Sequence, residues 1–276
     1  MSEVDRYAVF GNPIKHSRSP QIHAAFAAQT GQQLSYRAHL VELGQFDAAA
    51  RSFFADGGKG LNITVPFKLD AFAYAGELSD RARRAGAVNT LARQSDGSIY
   101  GDNTDGVGLV RDIAENLGWQ LAERRILIVG AGGAVRGILE PLLRHQPDIV
   151  VIANRTVDKA QQLARSFGDL GEVRACRFEG LAGNQFDIVI NATSASLAGE
   201  LPPLPSDMLN DGCCCYDLMY GAEPTPFMCW AASEMAWAVA DGLGMLVEQA
   251  AESFSIWRGV RPDTRPVIEM LRDNLT

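Results

Sequence analysis

The chain has 276 residues, 47% hydrophobic and 21% charged, with 27 Gly and 12 Pro, an ordinary globular composition that excludes collagen, disorder and a disulfide miniprotein. Against 33 Asp and Glu stand 25 Lys and Arg, a net charge of -8 that repels phosphate backbones and anionic lipids and so argues against a nucleic-acid or membrane partner. At roughly 100 to 200 residues per domain the length predicts two domains, each able to bury its own core.

Met1 to Arg6 is polar and acidic and the apolar runs are short and interrupted, so the sequence predicts neither a secretory leader nor a spanning helix, and a cytoplasmic protein. Short apolar strands alternate with amphipathic helical stretches throughout, which predicts an α/β protein with mainly parallel strands in two sheets. Strands are expected at Tyr7–Phe10, Ser35–Leu40, Gly60–Val65 and Val88–Leu91, with helices near Pro20–Thr30, Gln45–Ala55 and Lys68–Ala75. A hairpin turning at Asp96-Gly97 and ending at Tyr100 follows. Val107, Val110, Ala114 and Leu117 share one face of a helix stopped by Gly118, which joins the domains.

From Arg125 a second series begins, with strands expected at Ile126–Val129, Ile149–Ala153, Phe186–Ile190, Cys213–Leu218 and Ala238–Ala240. A final helix, Leu243–Trp257, returns toward the first domain. The expected division is therefore 1–105, with about 243–276 packed back on it, and 106–242. The five Cys, at 176, 213, 214, 215 and 229, form no C-x-x-C pair or Cys/His cluster, so they are expected to be reduced, mostly buried and free of metal. Cys213 to Tyr216 reads as a strand that uses Cys as a small apolar residue.

The strand Ile126–Val129 runs into Gly130-Ala131-Gly132-Gly133-Ala134 and then a helical pattern, the context of a dinucleotide-binding turn. Without side chains at Gly130 and Gly132 the backbone can turn sharply and approach a pyrophosphate, whose charge meets the amides of the helix N-terminus. Val135 replaces the third glycine of the G-x-G-x-x-G pattern, and a tight turn without a ligand is the alternative reading. About 20 residues on, the next strand ends Ala153-Asn154-Arg155-Thr156 with no Asp or Glu at its tip. An acid there would bond a free 2′-hydroxyl; Arg155, with Thr156 and Lys159, suits a 2′-phosphate, so NADP is preferred to NAD. For Arg155 alone the alternative is a solvated loop arginine.

In the first half, Ser17 and Ser19 lie in a turn-like segment between Pro13 and Pro20, where two hydroxyls and exposed amides suit a carboxylate or, alternatively, a helix cap. Lys68 follows Pro66-Phe67 at a helix start, where the helix dipole and any desolvation favour release of its proton; a solvated first-turn lysine is the alternative. Asp105, in Gly101-Asp-Asn-Thr-Asp-Gly106, reads equally as a helix cap.

These motifs, in order, resemble the shikimate dehydrogenase family over almost the whole chain: Phe10-Gly-Asn-Pro-Ile-Lys-His-Ser-Arg-Ser-Pro20, Asn62-Ile-Thr-Val-Pro-Phe-Lys68, Gly86-Ala-Val-Asn-Thr90, Gly101 to Gly106, Gly130 to Ala134, Asn154-Arg-Thr156 and Asp241-Gly-Leu-Gly-Met-Leu-Val-Glu-Gln249. The resemblance implies NADP-linked interconversion of shikimate and 3-dehydroshikimate in aromatic amino-acid biosynthesis. It implies an N-terminal α/β substrate domain and a C-terminal Rossmann-type domain, with the reaction in a cleft between them, in a monomer or homodimer.

By that resemblance Lys68 and Asp105 flank the reacting hydroxyl, Ser17 and Ser19 hold the substrate carboxylate, and Thr64, Asn89, Tyr220 and Gln249 contact the rest of the ring. Cofactor contacts are implied for Gly130, Ala131, Gly132, Gly133, Ala134, Asn154, Arg155, Thr156, Lys159, Leu218 and Gly242. Asp80 carries over as a cofactor-side contact or as the cap of a short helix from Arg81 to Ala85, and His16 as a residue that shapes its loop. Two positions depart from the family pattern: Ala195-Ser196 follows Asn191-Ala-Thr-Ser194 where members often have Ser-Gly, and Leu218 stands where Met is frequent. Two rival readings are a broader quinate/shikimate dehydrogenase that also uses NAD, against which Arg155 argues, and a catalytically silent NADP sensor, against which Lys68 and Asp105 argue.

Overall fold

Tyr7–Phe10 is the buried centre of strand β1 (Asp5–Gly11), which lies between β2 (Leu34–Leu40) and β3 (Gly60–Ile63) and runs parallel to both. This is a computed structural model, and it describes residues 4–195 and 199–275. Helix α1 (Ser19–Thr30) connects β1 to β2 and closes on Gly31, whose φ of 66° suits the left-handed cap. Helix α2 (Phe46–Ala55) connects β2 to β3, and α3 (Lys68–Tyr74) follows.

The sheet is completed by β4 (Glu77–Leu78), β5 (Thr90–Arg93) and β6 (Ile99–Asp102), with α4 (Asp80–Ala85) between β4 and β5. The strand order is β2-β1-β3-β5-β6-β4, with β5 antiparallel to β3 and β6. Phe10, Phe46, Phe54, Leu61, Ile63, Phe67, Val88 and Leu91 fill its core. β3 stops at Ile63 rather than Val65 because the Thr64 carbonyl accepts the Phe67 amide at 3.0 Å, closing a turn around Pro66. The expected strand Val88–Leu91 begins only at Thr90, and the hairpin strand extends past Tyr100 to Asp102.

The helix expected over 107–117 is two segments. Helix α5 (Asp105–Arg111) passes into a π-helical turn, Asp112–Asn116, where the Leu117 amide reaches back five residues to the Asp112 carbonyl at 2.9 Å. Asp112 is buried there and accepts from Tyr216 Oη at 2.7 Å and Asn116 Nδ2 at 2.9 Å. Gly118, with φ of 70°, ends the run as expected.

The second sheet is parallel throughout: β7 (Arg125–Val129), β8 (Ile149–Ala153), β9 (Val173–Cys176), β10 (Phe186–Asn191), β11 (Leu209–Asp217) and β12 (Ala238–Asp241), in the order β12-β11-β10-β7-β8-β9. The first strand of this series sits in the middle and the chain steps outward to either side, the doubly wound order of a Rossmann fold. Helices α6 (Gly133–Leu143) and α7 (Val157–Phe167) link β7, β8 and β9, and α8 (Pro226–Ser233) precedes β12. Strand β9 is the one element of this sheet that the sequence pattern does not announce. Cys213, Cys214 and Cys215 are buried in β11 as expected, and burial pushes the Cys214 thiol up to about 11, whereas Cys229 on α8 is exposed.

Helices α9 (Leu243–Arg258) and α10 (Arg265–Asp273) close the chain. Two compact units result. The first comprises the chain up to Gly108 with Val247–Glu269, and the second Leu109–Leu246 with the chain from Met270 onward. Within the first unit α9 is fastened by Trp257, whose Nε1 donates to the Leu91 carbonyl at 3.0 Å, and by Arg258, which pairs with Asp5.

Candidate active site

In the first unit two helices begin with ionisable side chains that meet. Lys68 opens α3, held in place by Phe67 at 1% exposure behind it and by its own carbonyl, which accepts the Val88 amide at 2.9 Å. Asp105 opens α5, and Lys68 Nζ donates to its Oδ2. The other Asp105 oxygen accepts from Asn89 Nδ2 at 2.8 Å. Both oxygens of the Asp105 carboxylate are thus engaged, one by Lys68 and the other by Asn89.

Asn89 is 2% exposed and joins several groups. Its amide nitrogen also faces Thr104 Oγ1 at 2.9 Å and Gln249 Oε1 at 3.3 Å, and its oxygen accepts from the Thr104 amide at 2.9 Å. Lys68, Asn89, Asp105 and Gln249 thus form one continuous constellation. Behind it, Arg81 grips the Asp102 carboxylate through Nε and Nη2, each at 2.7 Å, and Asp102 also accepts the Asn103 amide at 2.7 Å. The Asn103 side chain in turn accepts the Asp105 amide at 3.2 Å, so the segment that delivers Asp105 is tied down residue by residue.

A second arm starts at α1. Ser19 is buried, and its amide donates to Ser17 Oγ at 3.3 Å, but the N-cap position is Arg18 and no side chain caps the helix there. Ser17 thus takes the first amide of α1 without occupying the cap position. The Ser19 hydroxyl lies beside the Tyr36 phenol, which donates to Asn62 Oδ1 at 2.7 Å. Asn62 also accepts from His23 Nε2 at 3.1 Å, and its amide reaches Thr90 Oγ1 at 3.2 Å and the Asn89 carbonyl at 3.3 Å.

Asn62 thus bridges the serine arm and the lysine arm. Burial pushes the His23 imidazole down to about 3 and the Tyr36 phenol up, so both stay neutral in this network. Thr64 is half-buried just past β3, with its methyl group against Gly11, and His16 is exposed. Tyr36, His23, Asn62, Thr104 and Arg81 carry no role in the sequence reading. Asn62 and Thr104 had a local signal, as members of the Asn-Ile-Thr-Val-Pro-Phe-Lys and Gly-Asp-Asn-Thr-Asp-Gly motifs.

In the second unit the glycine turn follows β7. Gly130 has φ of 110°, and a Cβ there would press on Thr193 at 3.1 Å and the Ala192 carbonyl at 3.2 Å, so only glycine fits. Its amide donates to the Ala153 carbonyl at 2.8 Å, which puts the turn beside the tip of β8. Gly132 is the N-cap of α6 and Gly133 its first residue, and space is open where a Cβ would stand at either. Ala131 and Ala134 flank them, half-buried.

At the β8 tip Asn154 Nδ2 donates to the Thr156 carbonyl at 2.8 Å, and Arg155, Thr156 and Lys159 are exposed together. Open space over the first amides of a helix, with cations alongside, fits a dinucleotide carrying an additional phosphate. Leu218 is buried just past β11, and a Cβ on Gly242 would collide with its carbonyl oxygen, so that glycine serves the packing of β11 on β12. Tyr220 is half-buried in the segment after β11 and belongs to the second unit.

Two expectations need revision or fall outside the view. Asp80 does not cap α4: Ser79 does, by accepting from the Ala82 amide at 3.1 Å, and Asp80 is an exposed first-turn residue 3.8 Å from Arg83. Ser196, one of the departures from the family pattern, lies outside the described residues, whereas the Ala195 amide reaches Thr193 Oγ1 at 3.4 Å and its carbonyl accepts the Glu200 amide at 2.9 Å.

The parallel doubly wound sheet, its glycine turn and the separate Lys–Asp–Asn constellation define a two-unit α/β protein whose second unit is a dinucleotide-binding fold of the Rossmann type. Family models match along the chain: a shikimate dehydrogenase substrate-binding domain over residues 9–91, shikimate/quinate 5-dehydrogenase over 112–198, and a shikimate 5′-dehydrogenase C-terminal domain over 242–272. A shikimate dehydrogenase (NADP(+)) of Methylococcus capsulatus is 61% identical over 271 residues, covering 98% of this chain and 97% of that protein. The chain belongs to the shikimate dehydrogenase family.

Solved structures agree. An Ael1 enzyme from Pseudomonas putida superposes with a TM-score of 0.93 at 53% identity, covering 97% of this chain and 98% of that one. A shikimate 5-dehydrogenase from Thermus thermophilus in complex with NADP(H) and shikimate superposes with a TM-score of 0.88 at 32% identity, covering 99% and 100%.

Proposed function

We infer that this protein catalyses the reversible, NADP-dependent reduction of 3-dehydroshikimate to shikimate, the step that its relatives' names describe. The observation that carries the mechanism is the contact of Lys68 with Asp105, held by Asn89. Bound NADPH supplies a hydride equivalent to the ketone carbon. The ketone oxygen, reduced to the alcohol level by that hydride equivalent, would need one proton, and Lys68 Nζ is the group placed to deliver it. Asp105 orients Lys68 and accepts a hydrogen bond from the substrate hydroxyl, and Asn89 keeps the carboxylate facing the reaction. In the oxidation direction the neutral Lys68 amine takes the proton back.

Ser17 and Ser19 hold the substrate carboxylate, a charge that does not change in the reaction, while Thr64, Asn89, Gln249 and Tyr220 bond the ring hydroxyls. Gly130 to Ala134 and the start of α6 hold the pyrophosphate, and Arg155, with Asn154, Thr156 and Lys159, clamps the 2′-phosphate. Leu218 and Gly242 shape the nicotinamide side, and Asp80, exposed on the first unit, is the cofactor-side contact there. Among the described residues no helix is long and apolar enough to cross a membrane, and we place the reaction in the cytoplasm, in a monomer or homodimer. The test is a steady-state assay at the reduced-nicotinamide absorbance with shikimate and NADP, with quinate and NAD as controls. Shikimate with NADP should be turned over fastest; equal rates with NAD, or faster quinate oxidation, would favour the broader quinate/shikimate reading.

A further inference from the structure

Ser253 is one of several fully buried polar side chains that the proposed reaction leaves without a task. It is 0% exposed and sits on α9, one helical turn after Gln249. Its hydroxyl oxygen lies 3.0 Å from the Gln249 carbonyl, 2.7 Å from Thr90 Oγ1, 3.3 Å from Thr104 Oγ1 and 3.0 Å from Asn62 Nδ2. Four partners around one hydroxyl are more than a serine needs to be satisfied, since bonding back to the carbonyl four residues earlier already does that for a serine in a helix.

The identity of those partners gives the arrangement its meaning. Thr90 Oγ1 lies 2.9 Å from Asn89 Oδ1, and Thr104 Oγ1 lies 2.9 Å from Asn89 Nδ2, so two of Ser253's partners are also the partners that fix the plane of the Asn89 amide. Asn89 is the group that bonds Asp105 Oδ1 and Gln249 Oε1. A third partner, Asn62, carries the Tyr36 link toward Ser19. The fourth is the backbone of Gln249 itself.

We propose that Ser253 is a positioning residue for the substrate subsite, locking α9 to the Asn89 amide so that Gln249 and Asn89 meet the ring hydroxyls together. This deepens, and rests on, the shikimate reading above. Packing alone would predict a different outcome: a serine that merely satisfies the core would cost stability when removed, and would leave substrate affinity to the residues that touch substrate.

Ser253→Ala and the near-isosteric Ser253→Cys, each alone and combined with Gln249→Ala, separate the two. For Ser253→Ala the KM for shikimate should rise about five- to thirtyfold, the loss expected when buried hydrogen-bond partners are left unmatched, with kcat changed less than about threefold and the KM for NADP within about twofold. Ser253→Cys, which retains the volume and a weak donor, should fall between wild type and Ala, and it carries the test if the Ala variant does not fold. In the Gln249→Ala background the further rise should be clearly smaller than in the wild-type background, because one of the two groups being positioned is gone and only Asn89 remains. An unmoved KM, or effects of the two substitutions that multiply, would overturn the proposal. Wild-type turnover in the same series judges the functional reading by itself: no shikimate oxidation overturns both, while normal wild-type turnover beside unmoved variants overturns only the role of Ser253.

Discussion

Asn89 in the first unit is buried with both polar atoms of its amide engaged, whereas Gly132 and Gly133 in the second have open space where side chains would stand. The same contrast holds around each. Lys68, Asp105, Asn62 and Thr104 are side chains held by other side chains, many from distant parts of the sequence. The second unit offers backbone amides at the start of α6 and a few exposed cations at the β8 tip. A small, hydroxyl-rich substrate is read by directional bonds that need a rigid network, while a large anionic cofactor is met by a helix end and a guanidinium. Damage should therefore differ in kind: catalysis and substrate affinity fail through the first unit, cofactor choice through the second.

The contrast is tested most severely at Lys68 and Asp105. Lys68→Arg should lower kcat by about 10²- to 10⁴-fold, because a guanidinium stays protonated and cannot serve as the base in shikimate oxidation. Asp105→Asn should also slow turnover, and the double variant should lose less than the product of the single losses. Steady-state kinetics with NADP held saturating checks both, and independent multiplication would show that the two groups do not act as a unit.

The buried network of the first unit should also make that unit acid-sensitive. His23 is held at about 3 in the folded protein against 6.5 unperturbed, so the unfolded chain binds a proton below about pH 6.5 that the folded chain refuses until about pH 3. Its contribution to stability is complete above pH 6.5 and is lost as the pH falls through that window, by about 3 kcal/mol at pH 4. Denaturant unfolding from pH 7 to pH 4 measures the slope, and His23→Gln should flatten it. An unchanged slope would remove His23 as its source.

On the cofactor side, Arg155→Ala should weaken NADP about tenfold to a hundredfold and leave NAD nearly unaffected, since a charge-assisted contact is worth about 1.5 to 3 kcal/mol. Equal losses for both cofactors in a binding titration would sink the assignment. The smallest effect is expected from Ser17 and Ser19. Replacing both by Ala should raise the KM for shikimate about tenfold with kcat nearly kept, because the carboxylate they bind is unchanged between ground and transition states. A drop in melting temperature without a kinetic change would instead make them purely structural.

How much of this was legible depended on the range of the contacts. Strands β7, β8 and β10 stand out in the sequence because the runs are almost wholly apolar and mostly buried, and β11 does so only through Cys213–Tyr216, its first residues, Leu209–Gly212, being mostly polar and partly exposed; β9, with Arg174 in its four residues, and the two-residue β4 do not. Lys68, Asp105, Asn89 and the glycine turn were readable because each sits in a short motif with local chemistry. His23, Tyr36, Arg81 and Ser253 were not, and Thr104, though inside the motif of Asp105, carried no chemistry that the motif announces. His23 and Asn62 are 39 residues apart, and Asn62 and Ser253 are 191 apart, so nothing near either residue in sequence marks the pair. The π-helical turn escaped for the same reason: an apolar 3.6-residue pattern runs through it, and the Asp112–Tyr216 bond beside it spans 104 residues.

Single-turnover oxidation of shikimate by Lys68→Ala, with NADP saturating and shikimate affinity measured separately by calorimetry, tests the central claim most directly, because a proton-transfer group acts in the transition state and hardly in binding. The account predicts a rate at least about 10²-fold below wild type, with shikimate affinity within about tenfold. A near-normal rate would make Lys68 an ordinary helix-start lysine and contradict the mechanism.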